Sequence, residues 1–182
     1  EVAKSEIVSR EKCLYDFTPN GKGDWQRYLW NRMLRRSIIV DNNLLFNEAI
    51  HYKEDGLFLV QYLLRCKGQI AYMKENVYCY RINPSGAMNG LDNSFSPRVL
   101  TDLDAHILIL KEMKKHNVAK ETIDRAMNHA FGTRIWILNK MKANEVPYRS
   151  FQIISLLRLY WNTGFIRTAR HLYSHFRRAI SS

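Results

Sequence analysis

The chain has 182 residues, 46% of them hydrophobic, and carries 28 Lys and Arg against 17 Asp and Glu, a formal net charge of +11. This length suits one domain with a real core, or a domain plus an extension, and the apolar content excludes a disordered chain. Three cysteines (Cys13, Cys66 and Cys79), none at CxxC spacing, argue against a disulfide framework or a zinc ribbon and fit a reducing, cytoplasmic interior.

The basic excess is uneven. Residues 1–90 hold 13 basic and 10 acidic side chains, whereas residues 91–182 hold 15 and 7. The second half therefore suits anionic lipid, nucleic acid or a phosphorylated ligand, with a plain solvated surface as the bland alternative. No secretory signal opens the sequence, and no apolar run approaches membrane-spanning length. Glu1 rather than Met stands first, so the chain is expected to be a piece of something longer.

Residues 5–17 read as a strand or a short helix, and the Asn20-Gly21-Lys22-Gly23-Asp24 stretch as a loop. Trp25, Tyr28, Leu29 and Met33 recur at helical spacing, which predicts a helix over 25–36. An apolar connection, Ile38-Ile39-Val40, and a polar turn, Asp41-Asn42-Asn43, lead to Leu44-Leu45-Phe46.

The stretch that organises the chain comes next. Glu54 and Asp55 stand directly before a dense apolar run, Leu57 to Leu64, which Gly68 closes. This predicts a short helix apolar on almost every face, hence enclosed and stiff. Its first turn carries the two acids, where the positive end of the helix favours their ionised form. A carboxylate fixed in that way suits a general base. The competing reading is that the pair only caps the helix.

After Gly68, residues 69–73 and 76–82 alternate and are rich in aromatic and β-branched residues, as strands are, and Asn83-Pro84-Ser85-Gly86 reads as a turn. Composition changes at about residue 91. Ser96 and Pro97 start a helix that Lys114, Lys115 and His116 close. Within it Asp102 and Asp104, two apart, should point to different faces rather than share a metal. A further helix over 120–142 has a stripe through Ile123, Met127, Ala130, Phe131, Ile137 or Leu138, and Met141. Another runs from Pro147 to near Gly164. A last one has Phe165, Ala169, Leu172, Tyr173, Phe176 and Ile180 on one side and Arg167, Arg170, Arg177 and Arg178 mostly on the other. The fold class is thus α+β and mostly helical, with two or three short strands. Residues 1–90 are mixed and 91–182 form a helical extension.

Several pieces now line up. Trp30-Asn31-Arg32-Met33-Leu34-Arg35-Arg36, then Phe46, then Glu54-Asp55-Gly56-Leu57-Phe58, then Tyr78-Cys79-Tyr80-Arg81 with Ser85 occur in this order. In order and spacing they resemble the acceptor-side, C-terminal segment of bacterial family-2 glycosyltransferases of the GT-A fold, over residues 25–88. The resemblance implies the C-terminal part of a GT-A-like domain and an inverting transfer of a sugar from a nucleotide-sugar donor. The acceptor it implies is a glycan or a lipid-linked molecule in cell-surface polysaccharide synthesis. It also implies Asp55 as base, Glu54 as its orienting or acceptor-holding neighbour, and Gly56 as a position that leaves room for the approaching sugar. Trp30, Asn31, Arg81 and Ser85 become substrate-binding candidates. Arg81 would meet a phosphate or sugar oxygen, and Trp30 would offer a ring to the sugar or else sit in the core. The family's nucleotide-binding half, with the Asp-x-Asp loop that holds a divalent metal (Mn or Mg), has no counterpart before Trp25. The chain alone is therefore expected to be inactive, with the metal's ligands largely outside it.

Residues 145–182 hold six Arg and one acid, Glu145, among many aromatics. They suit peripheral attachment to an anionic membrane at its inner face, or simple packing on the domain. No nucleic-acid-binding signature is present, so nucleic acid is not an expected partner. His171 and His175, at i,i+4, lack an evident third ligand and read as a surface pair, and His51 with Glu54 is weaker still. The rival to the enzyme reading is a non-catalytic basic helical module that binds membrane, nucleic acid or protein. Exposed apolar surface at a docking face would also permit self-association.

Overall fold

The computed structural model describes residues 5–17, 28–73, 75, 78–79, 81, 94–164 and 168–169. It is α+β and mostly helical. The elements are strand β1 (Ser5–Val8), helices α1 (Arg10–Asp16), α2 (Arg36–Asp41) and α3 (Glu54–Arg65), and strand β2 (Ile70–Met73). A 3-10 turn (Pro97–Leu100) then runs into α4 (Thr101–Lys115), followed by α5 (Lys120–Ala143) and α6 (Arg149–Thr163). Strands β1 and β2 pair antiparallel, Ser5 facing Met73 and Val8 facing Ile70.

The first segment is both strand and helix. Ser9 divides them: its hydroxyl accepts the Lys12 amide and caps α1. Ser96 does the same for Arg98, with Pro97 at the first helical position, as the sequence predicts. Helices α2, α4 and α5 all stop by one device. Asn43, Asn117 and Glu145 take left-handed backbone, and the amides of Leu44, Val118 and Val146 reach back to the carbonyls of Ile39, Met113 and Met141. The apolar residue after each left-handed one folds back onto a core cluster, which is the Schellman arrangement.

The predicted helix over 25–36 is corrected. Residues 28–35 are turn and extended chain, and the short helix begins only at Arg36, in the stretch read as a connection. Helical spacing loses to side-chain partners distant in sequence. The Trp30 ring packs on Tyr78, and the Arg35 amide donates to the Tyr62 hydroxyl on α3 at 2.8 Å. In the second predicted strand, the described residues Tyr78, Cys79 and Arg81 are not in a strand. The Gly-rich loop at 20–24, the Ser85 turn, the Arg face of the closing helix and the His171/His175 pair lie outside the described residues. Of that helix only Thr168 and Ala169 are described, both helical, with Thr168 buried and Ala169 exposed.

Helix α3 is enclosed as its composition demands: Gly56 to Val60 and Tyr62 to Leu64 are buried. Helix α4 packs on it and on α5. One core cluster runs across the composition change at residue 91, joining Leu57, Val60 and Leu63 of α3 to Leu103, Ile107 and Leu110 of α4 and Phe131 and Ile137 of α5. Polar ties fix the outer helices. Arg125 of α5 donates to the Tyr15 hydroxyl of α1 at 2.9 Å. Arg158 of α6 pairs with Asp104 of α4, and Lys114 donates to the Asn162 carbonyl. Asp102 instead meets His106 of its own helix at 3.3 Å and lines a depression with His129 and Trp136 of α5, so the two aspartates point to different faces of α4.

Arg134 is buried with α6. Its guanidinium donates to Ser155 Oγ and to the Gln152 carbonyl, and burial pulls its pKa below the usual arginine range. The cost of desolvating the guanidinium offsets much of what these bonds contribute, and losing either acceptor would leave a buried charge poorly satisfied.

Candidate active site at the tip of α3

The tip of α3 is set by three features that sequence spacing does not reveal. Lys53, the residue before the helix, has φ of 68°, a left-handed conformation that costs a non-glycine residue about 1–2 kcal/mol. Its carbonyl accepts the Leu57 amide, the first turn of the helix. Ahead of it, the backbone amides of His51 and Tyr52 both donate to Thr101 Oγ1 at 3.1 Å. Thr101 in turn donates to the Arg98 carbonyl. The start of α4 thereby holds the approach to α3. Lastly, Phe17 packs under Gly56.

Gly56 is buried, and its role differs from the expected one. A Cβ there would lie 3.1 Å from Phe17 Cζ and 3.3 Å from Lys53 Cγ. The missing side chain therefore makes room for protein rather than for an incoming sugar. Gly56→Ala requires the Phe17 ring to give by a few tenths of an ångström, and because that ring is itself buried the substitution should cost about 1 kcal/mol net of alanine's better helix propensity, read as a lower midpoint in urea unfolding.

Glu54 and Asp55 both sit in the first turn of α3, half-buried, and neither is its N-cap. Asp55 Oδ1 accepts the Gly56 amide at 2.6 Å. Among the described residues Asp55 makes no ion pair. Burial raises its pKa above the ordinary aspartate value, against the Gly56 bond and the Lys53 charge, which both lower it. This reverses the expectation from the helix dipole: desolvation outweighs the favourable end of the helix. A carboxylate that is harder to ionise binds a proton more strongly when ionised.

Around α3 the structure brings together pieces far apart in sequence. Phe46 stacks on Phe58, one turn along from Asp55, with centroids 4.5 Å apart. Trp30 stacks with Tyr28 at 5.5 Å and meets Tyr78 at 4.6 Å. Both tyrosines are about half exposed, so the three rings form an aromatic surface rather than a core residue standing alone. Leu29 beside them packs against both apolar clusters that α3 joins. Asn31 and Arg81 are exposed. Ser85 lies outside the described residues. Tyr28 reads in the sequence as part of a helical stripe and Tyr78 as part of the Tyr-x-Tyr-Arg piece, neither as a substrate-binding candidate, although an aromatic two before Trp30 and the Tyr-x-Tyr pair carry that signal.

Two depressions open elsewhere. One of about 540 Å³ lies between Lys142 and Ser150, and one of about 240 Å³ is lined by Asp102, His129, Gly132, Thr133 and Trp136. Asp55 lines neither. Among the described residues no group of three or more His, Cys, Asp or Glu stands close enough to hold a metal ion, and no helix is long and apolar enough to cross a membrane.

No family model matches the chain, and no curated protein or solved structure is significantly similar to it.

Proposed function

We propose that this chain is the acceptor-side part of an inverting glycosyltransferase in which Asp55 is the general base. The observation that carries the reading is Asp55 itself. Its carboxylate is fixed at the first turn of a buried helix, free of ion pairs among the described residues, and raised in pKa by burial. In the reaction an acceptor hydroxyl gives its proton to Asp55 as its oxygen bonds to the anomeric carbon. The bond from that carbon to the diphosphate breaks on the opposite face, and the leaving group keeps the electron pair. A base held in place, with pKa nearer the working pH, lowers the barrier to this step.

The aromatic surface of Tyr28, Trp30 and Tyr78 supports the same reading, because flat apolar rings with polar edges suit the face of a sugar. So does the exposure of Met33, Val40, Leu45 and Phe46 beside α3. Exposed apolar side chains of this kind offer a docking face for a nucleotide-binding half. The divalent metal that the resemblance implies would be held by the Asp-x-Asp loop of that other half and would stabilise the departing diphosphate.

The test is turnover by the complete polypeptide that carries this chain, followed as release of nucleoside diphosphate from a panel of nucleotide-sugars. The product should have the anomeric configuration opposite to the donor's. Retention of configuration contradicts a single displacement assisted by Asp55.

A further inference from the structure

Helix α6 has two faces, and only one is used. Ser155 and Leu159 are buried, and Arg134, the Asp104–Arg158 pair and Lys114 hold that side to α5 and α4. On the opposite side Ile153, Ile154, Leu157, Tyr160 and Trp161 are all exposed, Trp161 by 83%. They fall at i, i+1, i+4, i+7 and i+8, one continuous stripe of the helix. Soluble surfaces seldom carry such a patch without a partner.

We propose that this outer stripe of α6 docks on an anionic lipid surface, with the helix lying in the plane of the membrane. Charge decides among occupants. The sequence of α6 contains no Asp or Glu, and Arg149, one turn before Ile153, makes no ion pair among the described residues. Residues 145–182 hold six Arg against a single acid, in a chain of net charge +11. A second copy would set like charges against each other, whereas an anionic bilayer supplies the missing negative charge. At about 22 Å the helix is too short to span a bilayer, and it already has a core-facing side, so it lies on the surface. Tyr160 and Trp161 are suited to the headgroup boundary, and the aliphatic residues to the acyl layer beneath. The inference stands apart from the role of Asp55, because it concerns another face and another ligand.

The experiment is co-sedimentation of the purified chain with vesicles of phosphatidylcholine and phosphatidylglycerol, against vesicles of phosphatidylcholine alone. Binding should require the anionic lipid and weaken as salt is raised. Changing Ile153→Ser, Leu157→Ser and Trp161→Ser together should reduce the apparent affinity at least about tenfold. Arg149→Gln should reduce it about fivefold. All four positions point away from the core, and an unchanged far-ultraviolet spectrum checks that the fold is intact. Equal binding to neutral vesicles, or undiminished binding by the triple variant, overturns the proposal. So does a chain that fails to bind vesicles but dimerises through the stripe, shown by a mass that halves in the triple variant.

Discussion

Asp55→Asn should lower the rate of sugar transfer by about 10²–10⁴-fold in the complete enzyme while leaving nucleotide-sugar affinity unchanged. Asparagine keeps an oxygen that can accept the Gly56 amide, so the local fold is retained and only the proton acceptor is lost. Stability separates this from structural damage. The carboxyl's pKa is raised in the folded state, so the folded chain binds its proton more tightly than the unfolded chain does. Its contribution to stability is therefore full below the unfolded aspartate pKa and is lost as pH rises through the raised folded value. At neutral pH the ionised, half-buried group is a burden, and Asp55→Asn should unfold at the same temperature as the parent or higher. The same shift moves the acidic limb of the rate profile above the pH expected of an ordinary aspartate, because a raised pKa must be exceeded before the base is available. A variant that keeps its turnover removes Asp55 from the proposed role.

Leu103→Ala should cost about 2–5 kcal/mol and should be felt on both sides of residue 91. Leu103 is fully buried on α4, two residues after the Thr101 hydroxyl that holds the approach to α3. Its cluster includes α3 residues before the composition change and α5 residues after it. The cavity left by the substitution therefore loosens one shared core. Hydrogen exchange should show lost protection in α3 as well as in α4 and α5, within one cooperative unfolding transition. Loss confined to α4 and α5, with α3 as protected as before, contradicts a shared core.

The helices were legible where the signal is local. Periodicity placed α5 and its buried stripe, with Ile137 and Leu138 both inside, and Ser96-Pro97 marked the start of the 3-10 turn that leads into α4. The solid apolar run after Glu54-Asp55 marked α3 as enclosed. What depends on distant partners was not legible. Residues 28–35 have helical spacing, yet the Trp30–Tyr78 contact and the Tyr62 hydroxyl take them out of a helix. The partner of β1 stands more than sixty residues away, in β2, and nothing within either segment names the other.

The same divide runs through the site. Two adjacent acids before an apolar run indicate a helix tip, which is local information. The direction of the Asp55 shift depends on how deeply neighbours bury it, and the charge that opposes the shift is that of Lys53, whose left-handed conformation the sequence gives no reason to expect. The resemblance implies that Gly56 faces the substrate, and the sequence around it cannot show otherwise, because Phe17, the ring it accommodates, belongs to another segment of the chain. Thr101 gives no signal in the sequence because its two bonds go to backbone amides about fifty residues earlier.

The most direct measurement is a crystal structure of the complete enzyme with an acceptor sugar and an unreactive nucleotide-sugar analogue. An Asp55 carboxylate oxygen should lie about 2.6–3.2 Å from the nucleophilic hydroxyl, and that hydroxyl should face the anomeric carbon opposite the diphosphate. An acceptor bound with its hydroxyl on another base, and Asp55 closed off in an ion pair with Lys53, would contradict the account.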